Sequence, residues 1–398
     1  MKRLFLLLSF VLIGSALCGQ TVHNSKFTVK KGRIIFDTPK RAPGQQSMLG
    51  FAAAPIPVVR VGIIGLGMRG PGAVTRLGFI DNVEIRALCD LYPERIEENQ
   101  RILEKAGMPR ADEYSGEEGW KQLCERDDLD LVYIVTPWLQ HVPMAVYAME
   151  HGKHVALEVP AAQSVAECWQ LVDTSERTRR HCMMVENCVY DFFELTTLNM
   201  AQQGLFGEII HAQGGYVHYL EQYWSSYQGD WRFDFNKRHT GDIYTTHGLG
   251  PVCQALNIHR GDKMNTLVSV STGSFNGRKL SGKRDGDRTF RNGDQTSTLI
   301  TTERGKTILL QHNVMPPRPY DRLYQLVGTA GYASKYPVEG YAFGDPDVAG
   351  DERPDIEALD THGFVTEARK AELMQQYEHP IQRQLTEKAK EVGGHGGM

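Results

Sequence analysis

The hexapeptide GLGMRG, residues 65–70, follows the apolar run VVRVGII and precedes a stretch of helical character. Its glycines, Gly65, Gly67 and Gly70, let backbone N–H groups approach a pyrophosphate at the positive end of a helix, with Met68 and Arg69 in the same loop. Asp90 closes the next apolar run, twenty residues beyond Gly70. A carboxylate there accepts hydrogen bonds from a ribose 2′-OH and repels a 2′-phosphate, so the spacing predicts NAD and not NADP. Two later runs end in TPWLQH (136–141) and EVP (158–160). Ligands bind at such strand ends in open parallel sheets, which directs Trp138, His141, Glu158 and Val159 to the same cofactor. Further along, GDWRF sets the cation of Arg232 beside Trp231, a stacking face.

These residues need a scaffold. The runs VVRVGIIG, VEIRALCD, LVYIVT and HVALEV are strands of the buried type, and PERIEENQRILEKAG and VPMAVYAMEHG between them have helical length and amphipathicity. Such alternation requires parallel strands with right-handed crossovers, hence an α/β doubly wound sheet over residues 58–180. CMMVENC adds a strand and DFFELTTLNMAQQG a helix closed by Gly204. From about residue 205 the runs IIHAQGGYVHYL, TLVSVSTG, TSTLITTERGKTILLQHN and RLYQLVGTAGYA, joined by glycine-rich turns, predict an α+β substrate domain, residues 181–398, with a largely antiparallel sheet and a hairpin at TERGKT. The aromatic stretch 219–250 shows no period and reads as a long functional loop.

At 398 residues two domains are expected. A net charge of −4 with no standout basic run argues against a nucleic-acid partner. MKRLFLLLSFVLIGSALCGQ, residues 1–20, reads as a secretory signal, followed by an extension over 21–57, so the protein is expected to be exported, periplasmic or secreted. Membrane attachment would come only through a lipid on Cys18, where the preceding Leu17 is bulky. The six later cysteines form no CxxC pair and read as buried thiols, and the scattered histidines give no metal spacing.

From Val58 onward the sequence resembles the Gfo/Idh/MocA sugar oxidoreductases, which join a Rossmann domain to an antiparallel substrate domain. Their usual Glu-Lys-Pro is here Glu158-Val159-Pro160, which weakens an ordinary dehydrogenase reading. GLGMRG, TPWLQH, EVP, MMVENCVY, GGYVHYL, YTTHGLGPV, PPRPYDRLY and GGHGGM, in that order, resemble glycoside hydrolase family 109, exported bacterial α-N-acetylgalactosaminidases that use bound NAD. The resemblance implies oxidation at C3 of the sugar, loss of the C2 proton, elimination of the C1 substituent, water addition and re-reduction. It places proton transfer on His247, sugar contacts on Tyr216, Tyr244 and Tyr320, and a cofactor contact on Asn187. Tyr320 is the second catalytic candidate, and Tyr244 shares a face with His247 if that segment is helical. Other readings stand beside these: a backbone-bonded histidine at 247, core aromatics at 216 and 320, a helix-capping Asn187 and a turn-capping Glu158. The partner so implied is an N-acetylgalactosamine-terminated glycan, with a homo-oligomer possible. Family members continue past GGHGGM, so the resemblance implies a truncated end here, from a shortened gene product or a shortened sequence, and leaves its effect on activity open. A sugar dehydrogenase and an inactive NAD- or sugar-binding protein remain as alternatives.

Overall fold

A computed structural model describes residues 27–344 and 363–385, with 387 and 390; the apolar leader, Cys18 and the GGHGGM end lie outside them. Within the segment read as an extended leader, β1 (Phe27–Lys30) and β2 (Arg33–Phe36) instead form a hairpin. The first sheet holds β3 (Val59–Ile64), β4 (Val83–Asp90), β5 (Asp112–Ser115), β6 (Leu131–Ile134), β7 (His154–Leu157) and β8 (Cys182–Met184), in the order β5-β4-β3-β6-β7-β8. Every pairing is parallel. The short, polar β5 (DEYS) carries no apolar signal and was not expected.

Both faces of this sheet are covered, which is why its strands read as continuous apolar runs. Val61 and Ile63 pack in one layer with Val74 of α1 (Gly70–Leu77) and with Ile96 and Leu103 of α2 (Pro93–Lys105). Helix α3 (Gly119–Cys124) contributes Leu123 to the opposite layer. There Ile64 joins Ala145 of α4 (His141–Glu150) and Leu171 of α5 (Val165–Thr178). Strand order turns outward on either side of β3 and β6, opening the crevice at their carboxyl ends where doubly wound sheets take ligands.

Helix α6 (Phe192–Gln202) leads into the second sheet, β9 (Ile209–Val217), β10 (Met264–Ser271), β11 (Thr296–Thr302), β12 (Thr307–Asn313), β13 (Gln325–Gly328), β14 (Gly331–Ser334) and β15 (Gly340–Phe343). Its order is β10-β11-β12-β9-β13-β14-β15, antiparallel except at β12–β9. The TERGKT hairpin joins β11 to β12. The aromatic stretch is not a loop: it winds into one-turn pieces at Glu221–Ser226 and Gln228–Asp230, then α7 (Trp231–Arg238), and enters α8 (Thr246–Ala255). Aromatics on nearly every side of these turns hid the helical period. No helix of the described residues is long and apolar enough to cross a membrane, and the six described cysteines are free thiols, with Cys168 exposed.

One contact seats α8 on the sheet. A Cβ on Gly248 would lie 2.1 Å from the Gly215 nitrogen, and one on Gly214 2.2 Å from the Gly248 carbonyl oxygen. Backbone therefore meets backbone between α8 and β9, and neither chain has room for a methyl group. Gly248→Ala is expected to cost about 3 kcal/mol through overpacking, seen as a lowered midpoint in denaturant unfolding; an unchanged midpoint would mean the contact is loose.

Candidate active site

The dinucleotide loop is built by exclusion. Gly65 has φ +96°, and a Cβ there would sit 2.7 Å from the Val135 carbonyl carbon, so the chain can turn against β6 only with glycine. A Cβ on Gly70 would come within 2.7 Å of the Gly65 carbonyl oxygen, and one on Gly67 within 3.2 Å of the Arg95 guanidinium. Helix α1 begins with no side-chain cap and no acid in its first turn, which leaves its positive end facing the loop. Asp90, buried, accepts from the Leu66 N–H at 2.7 Å and the Tyr92 N–H at 3.0 Å. It is thus a strut of the loop as well as an acceptor at the position for a ribose. These features fit NAD: uncrowded backbone where a pyrophosphate lies, and a carboxylate at the end of β4.

Beside the loop lies a cavity of about 360 Å³, walled by both sheets. Met68 and Arg69 reach it from the loop, Trp138, Glu158 and Val159 from the ends of β6 and β7, and Asn187 from the segment after β8. Tyr216 of β9, Arg232 of α7, Tyr244, His247 of α8 and Tyr320 supply the other side. Gly65, Gly67, Gly70 and Asp90 form the loop next to the cavity rather than its wall. His141 does not reach it. Fully buried, it has Nδ1 2.8 Å from the Pro160 carbonyl and Nε2 2.9 Å from the Thr136 carbonyl; burial holds it below the ordinary histidine range, so the neutral ring donates its single N–H to one of the two. The structure places His141 as a strut between strand ends, outside the cavity wall.

His247 Nδ1 lies 2.6 Å from Glu186 Oε1, and both side chains are buried. Burial pushes the Glu186 carboxyl up, but the hydrogen bond and charge of His247, with the Cys188 N–H, bring it net below its usual value. It therefore stays ionised at neutral pH and fixes the Nδ1 proton of His247, leaving Nε2 for chemistry. The backbone-bonded reading of His247 does not hold. Glu186 was passed over in the sequence although it stands within MMVEN at a strand end, where an acid next to a ligand crevice is a signal. Asn187 is no cap: Asp191 caps α6 and Glu186 caps the turn before it. Nor is Glu158 a turn cap, since Oε1 accepts from the Tyr133 hydroxyl at 2.7 Å.

Aromatic rings line the substrate side. The His247 ring lies 5.3 Å from that of Tyr216 and 4.8 Å from that of Tyr244, which precedes α8 instead of sharing a helical face. Tyr216 Oη and His218 Nδ1 share a 2.9 Å hydrogen bond, and the His218 ring stands edge-on to Tyr320 at 5.0 Å. Burial raises the Tyr216, Tyr244 and Tyr320 phenols above their ordinary value, so each is protonated at neutral pH. The buried Arg232 guanidinium is boxed by Trp138, Tyr216, Tyr227 and Tyr244, donates to Tyr227 Oη at 2.6 Å, and pairs with no carboxylate among the described residues. Tyr216 and Tyr320 are thus core aromatics and cavity walls at once.

Glu186, Cys188 and His247 are the one described group whose metal-ligating atoms lie within 4.8 Å of each other. The 2.6 Å between Nδ1 and Oε1 is a hydrogen-bond length, shorter than the spacing of two ligands on one zinc ion at about 2.0–2.3 Å each. Behind Cys188, Arg322 ion-pairs with Asp191 at 3.1 Å and Glu194 at 3.0 Å, and Lys335 with the same two at 2.5 and 2.7 Å. Burial pushes the Glu194 carboxyl upward even against these cations. This network fixes the segment that carries Tyr320.

Residues 59–186 match the family described as oxidoreductase, NAD-binding Rossmann fold, and residues 190–398 the glycosyl hydrolase 109 C-terminal domain. A glycosyl hydrolase family 109 protein of Bacteroides thetaiotaomicron is 56% identical, covering 100% of this chain and 85% of its own; one from Porphyromonas gingivalis is 56% identical over 97% and 83%. The chain belongs to glycoside hydrolase family 109. It is therefore a family 109 glycosidase carrying an NAD-binding Rossmann domain. The solved scyllo-inositol dehydrogenase of Lactobacillus casei with NAD(H) and scyllo-inositol shares the fold at TM-score 0.56 and 15% identity, over 84% of this chain and 94% of that one. Levoglucosan dehydrogenase in complex with NADH does so at TM-score 0.58 and 16% identity, over 80% and 88%.

Glu186→Gln keeps the shape of the pair but not its charge. It is expected to lower kcat about 100-fold with little change in KM, whereas an equal kcat would leave Glu186 without a role in the reaction. The second expectation concerns pH. Lys335 and Arg322 overcome the burial of Asp191 and hold its carboxyl at about 2, below the unfolded value, so its contribution is present above about pH 4 and lost as pH falls toward 2. Asp191→Asn should cost roughly 2 kcal/mol at pH 7, a difference that shrinks over that acid window in urea titrations. A pH-independent difference would contradict the assignment.

Proposed function

We propose that this family 109 glycosidase releases terminal α-N-acetylgalactosamine by oxidation at C3, elimination across C2 and C1, water addition and re-reduction. One observation carries the reading. Among the described residues the cavity wall holds a single carboxylate, Glu158, already bonded to Tyr133, where hydrolysis by paired carboxylates needs two facing the scissile bond. The wall instead presents two histidines, His247 with an ionised partner and His218 bonded to Tyr216, and several phenols.

Bound NAD, held by the 65–70 loop, Asp90 and the strand ends, would supply a reversible hydride sink at C3, where the hydroxyl proton passes to solvent with oxidation and returns with re-reduction. A C3 ketone makes the C2 proton acidic, and His247 Nε2 is assigned to remove it, with Glu186 stabilising the imidazolium that results. Tyr320 is assigned to give the glycosidic oxygen its proton as the C1 bond breaks, and to recover one from the water that adds to C1 of the enone. Return of the C2 proton from His247 then restores the ring. Arg232 suits an acetamido carbonyl, because it is a buried cation with no carboxylate partner among the described residues, and Trp138 and Tyr244, stacked on each other at 5.3 Å, add aromatic surface to the cavity wall for a pyranose. We also propose that the protein is exported, on the strength of its apolar first twenty residues.

Turnover of an aryl α-N-acetylgalactosaminide in D₂O is expected to release the aryl group, place deuterium at C2 of the sugar and build up no NADH. His247→Ala should lose about 10³-fold in kcat and all label. Release without label would point to direct displacement or a shielded proton, and NADH accumulation with free sugar to a dehydrogenase.

A further inference from the structure

The even charge balance of the chain breaks down at α9 (Asn276–Arg284) and the segment 285–291 that follows it. Arg278, Lys279, Lys283, Arg288 and Arg291, all exposed, line one open groove of about 870 Å³. The acids around it are engaged elsewhere. Asp285 and Asp287 hold Lys237 at 2.6 and 2.9 Å, and Asp230 holds Arg284. Asp294 accepts from the backbone N–H groups of Phe275, Asn276 and Gly277 at the start of α9. None of the five groove cations forms an ion pair among the described residues. Five like charges without counter-charges repel one another, a cost that an anionic ligand removes.

The groove is shaped for an extended ligand. Gly282 lets the Arg288 stem cross α9, since a Cβ there would lie 3.0 Å from Arg288 Cγ. At the rim the Phe275 side chain, 75% exposed, offers a ring face to a sugar. A series of adjoining hollows with shared walls runs from the groove to the catalytic cavity. Thr289 and Arg291 line both the groove and an adjoining hollow, which shares Asp234 and Arg238 with the next. That hollow shares Trp138 and Trp231 with the catalytic cavity.

We propose that this trough is the aglycone side of the site and that the substrate is an acidic glycan: its terminal sugar enters the catalytic cavity, and the following units carry sulfate or carboxylate groups held by the α9 cations. The proposal rests on the glycosidase reading above. The run of adjoining hollows toward the glycosidase cavity, with the aromatic faces of Phe275, Trp231 and Trp138 along it, favours a glycan over nucleic acid or an anionic bilayer, to neither of which a chain of net charge −4 is suited.

The test reads binding without turnover. Calorimetry at low and raised salt compares a chondroitin sulfate hexasaccharide, its desulfated form and neutral chitohexaose, on the whole protein and on Arg278→Gln/Lys279→Gln/Lys283→Gln, whose unchanged melting temperature reports an intact fold. The expected result is salt-sensitive binding of a charged hexasaccharide, no binding of the neutral one and about tenfold weaker binding by the triple variant. Loss on desulfation assigns the contact to sulfate, and retention assigns it to carboxylate. Equal affinity for chitohexaose, or no change in the triple variant, would overturn the proposal, as would tighter binding of duplex DNA or phosphatidylglycerol vesicles. Hydrolysis of the aryl glycoside by the unmodified protein is assayed in parallel: its absence alongside charge-dependent binding overturns only the glycosidase reading.

Discussion

The backbone contact between Gly248 and Gly214–Gly215 sets the distance between α8 and β9, and the site is assembled around it. His247 stands one residue before that contact and Tyr216 one residue after it, so their rings are brought to 5.3 Å without either side chain having to seek the other. The same seating presents His247 to Glu186, which arrives from the end of the Rossmann sheet. The hydrogen bond between them spans the two sheets. A shift of α8 by the width of a methyl group would separate His247 from Glu186, and in an active site small misplacements of this kind cost large factors in rate.

Around that pair the cavity is polar without being acidic. Its charges are the Arg232 guanidinium, enclosed by four rings, the Arg69 side chain and a Glu158 already bonded to Tyr133. Buried phenols remain protonated and serve as donors, whereas buried carboxylates in that position would have to be either paired or neutral. Such a site suits a developing oxyanion on the sugar better than it suits an oxocarbenium ion flanked by two acids. The ion-pair network of Asp191, Glu194, Arg322 and Lys335 sits behind the wall, holding Tyr320 while keeping its own charges satisfied.

The Rossmann half was legible because its signals are local. Gly65 is dictated by the chain beside it, strand and helix periods alternate, and Asp90 falls at a fixed spacing. Most candidate residues then fell onto one cavity. What the sequence hid depends on three-dimensional approach. His141 looked like a ligand because of its place at a strand end, and only the positions of Thr136 and Pro160 show that its ring lies between two backbone carbonyls and away from the cavity. Glu186 is separated from His247 by 61 residues, so no window reveals the pair. The turns between Glu221 and Arg238 were concealed by aromatics that pack on several sides at once, and the cations of α9 were masked by Asp285 and Asp287, whose charges fold back onto Lys237.

The central claim is that the glycosidic bond breaks by elimination, with His247 as the base at C2. Kinetic isotope effects with aryl glycosides deuterated singly at C1, C2 and C3 test it most directly. Normal primary effects at C2 or C3, with at most a small secondary effect at C1, are the result expected. An effect confined to C1 would mean direct displacement at the anomeric carbon and would contradict the account.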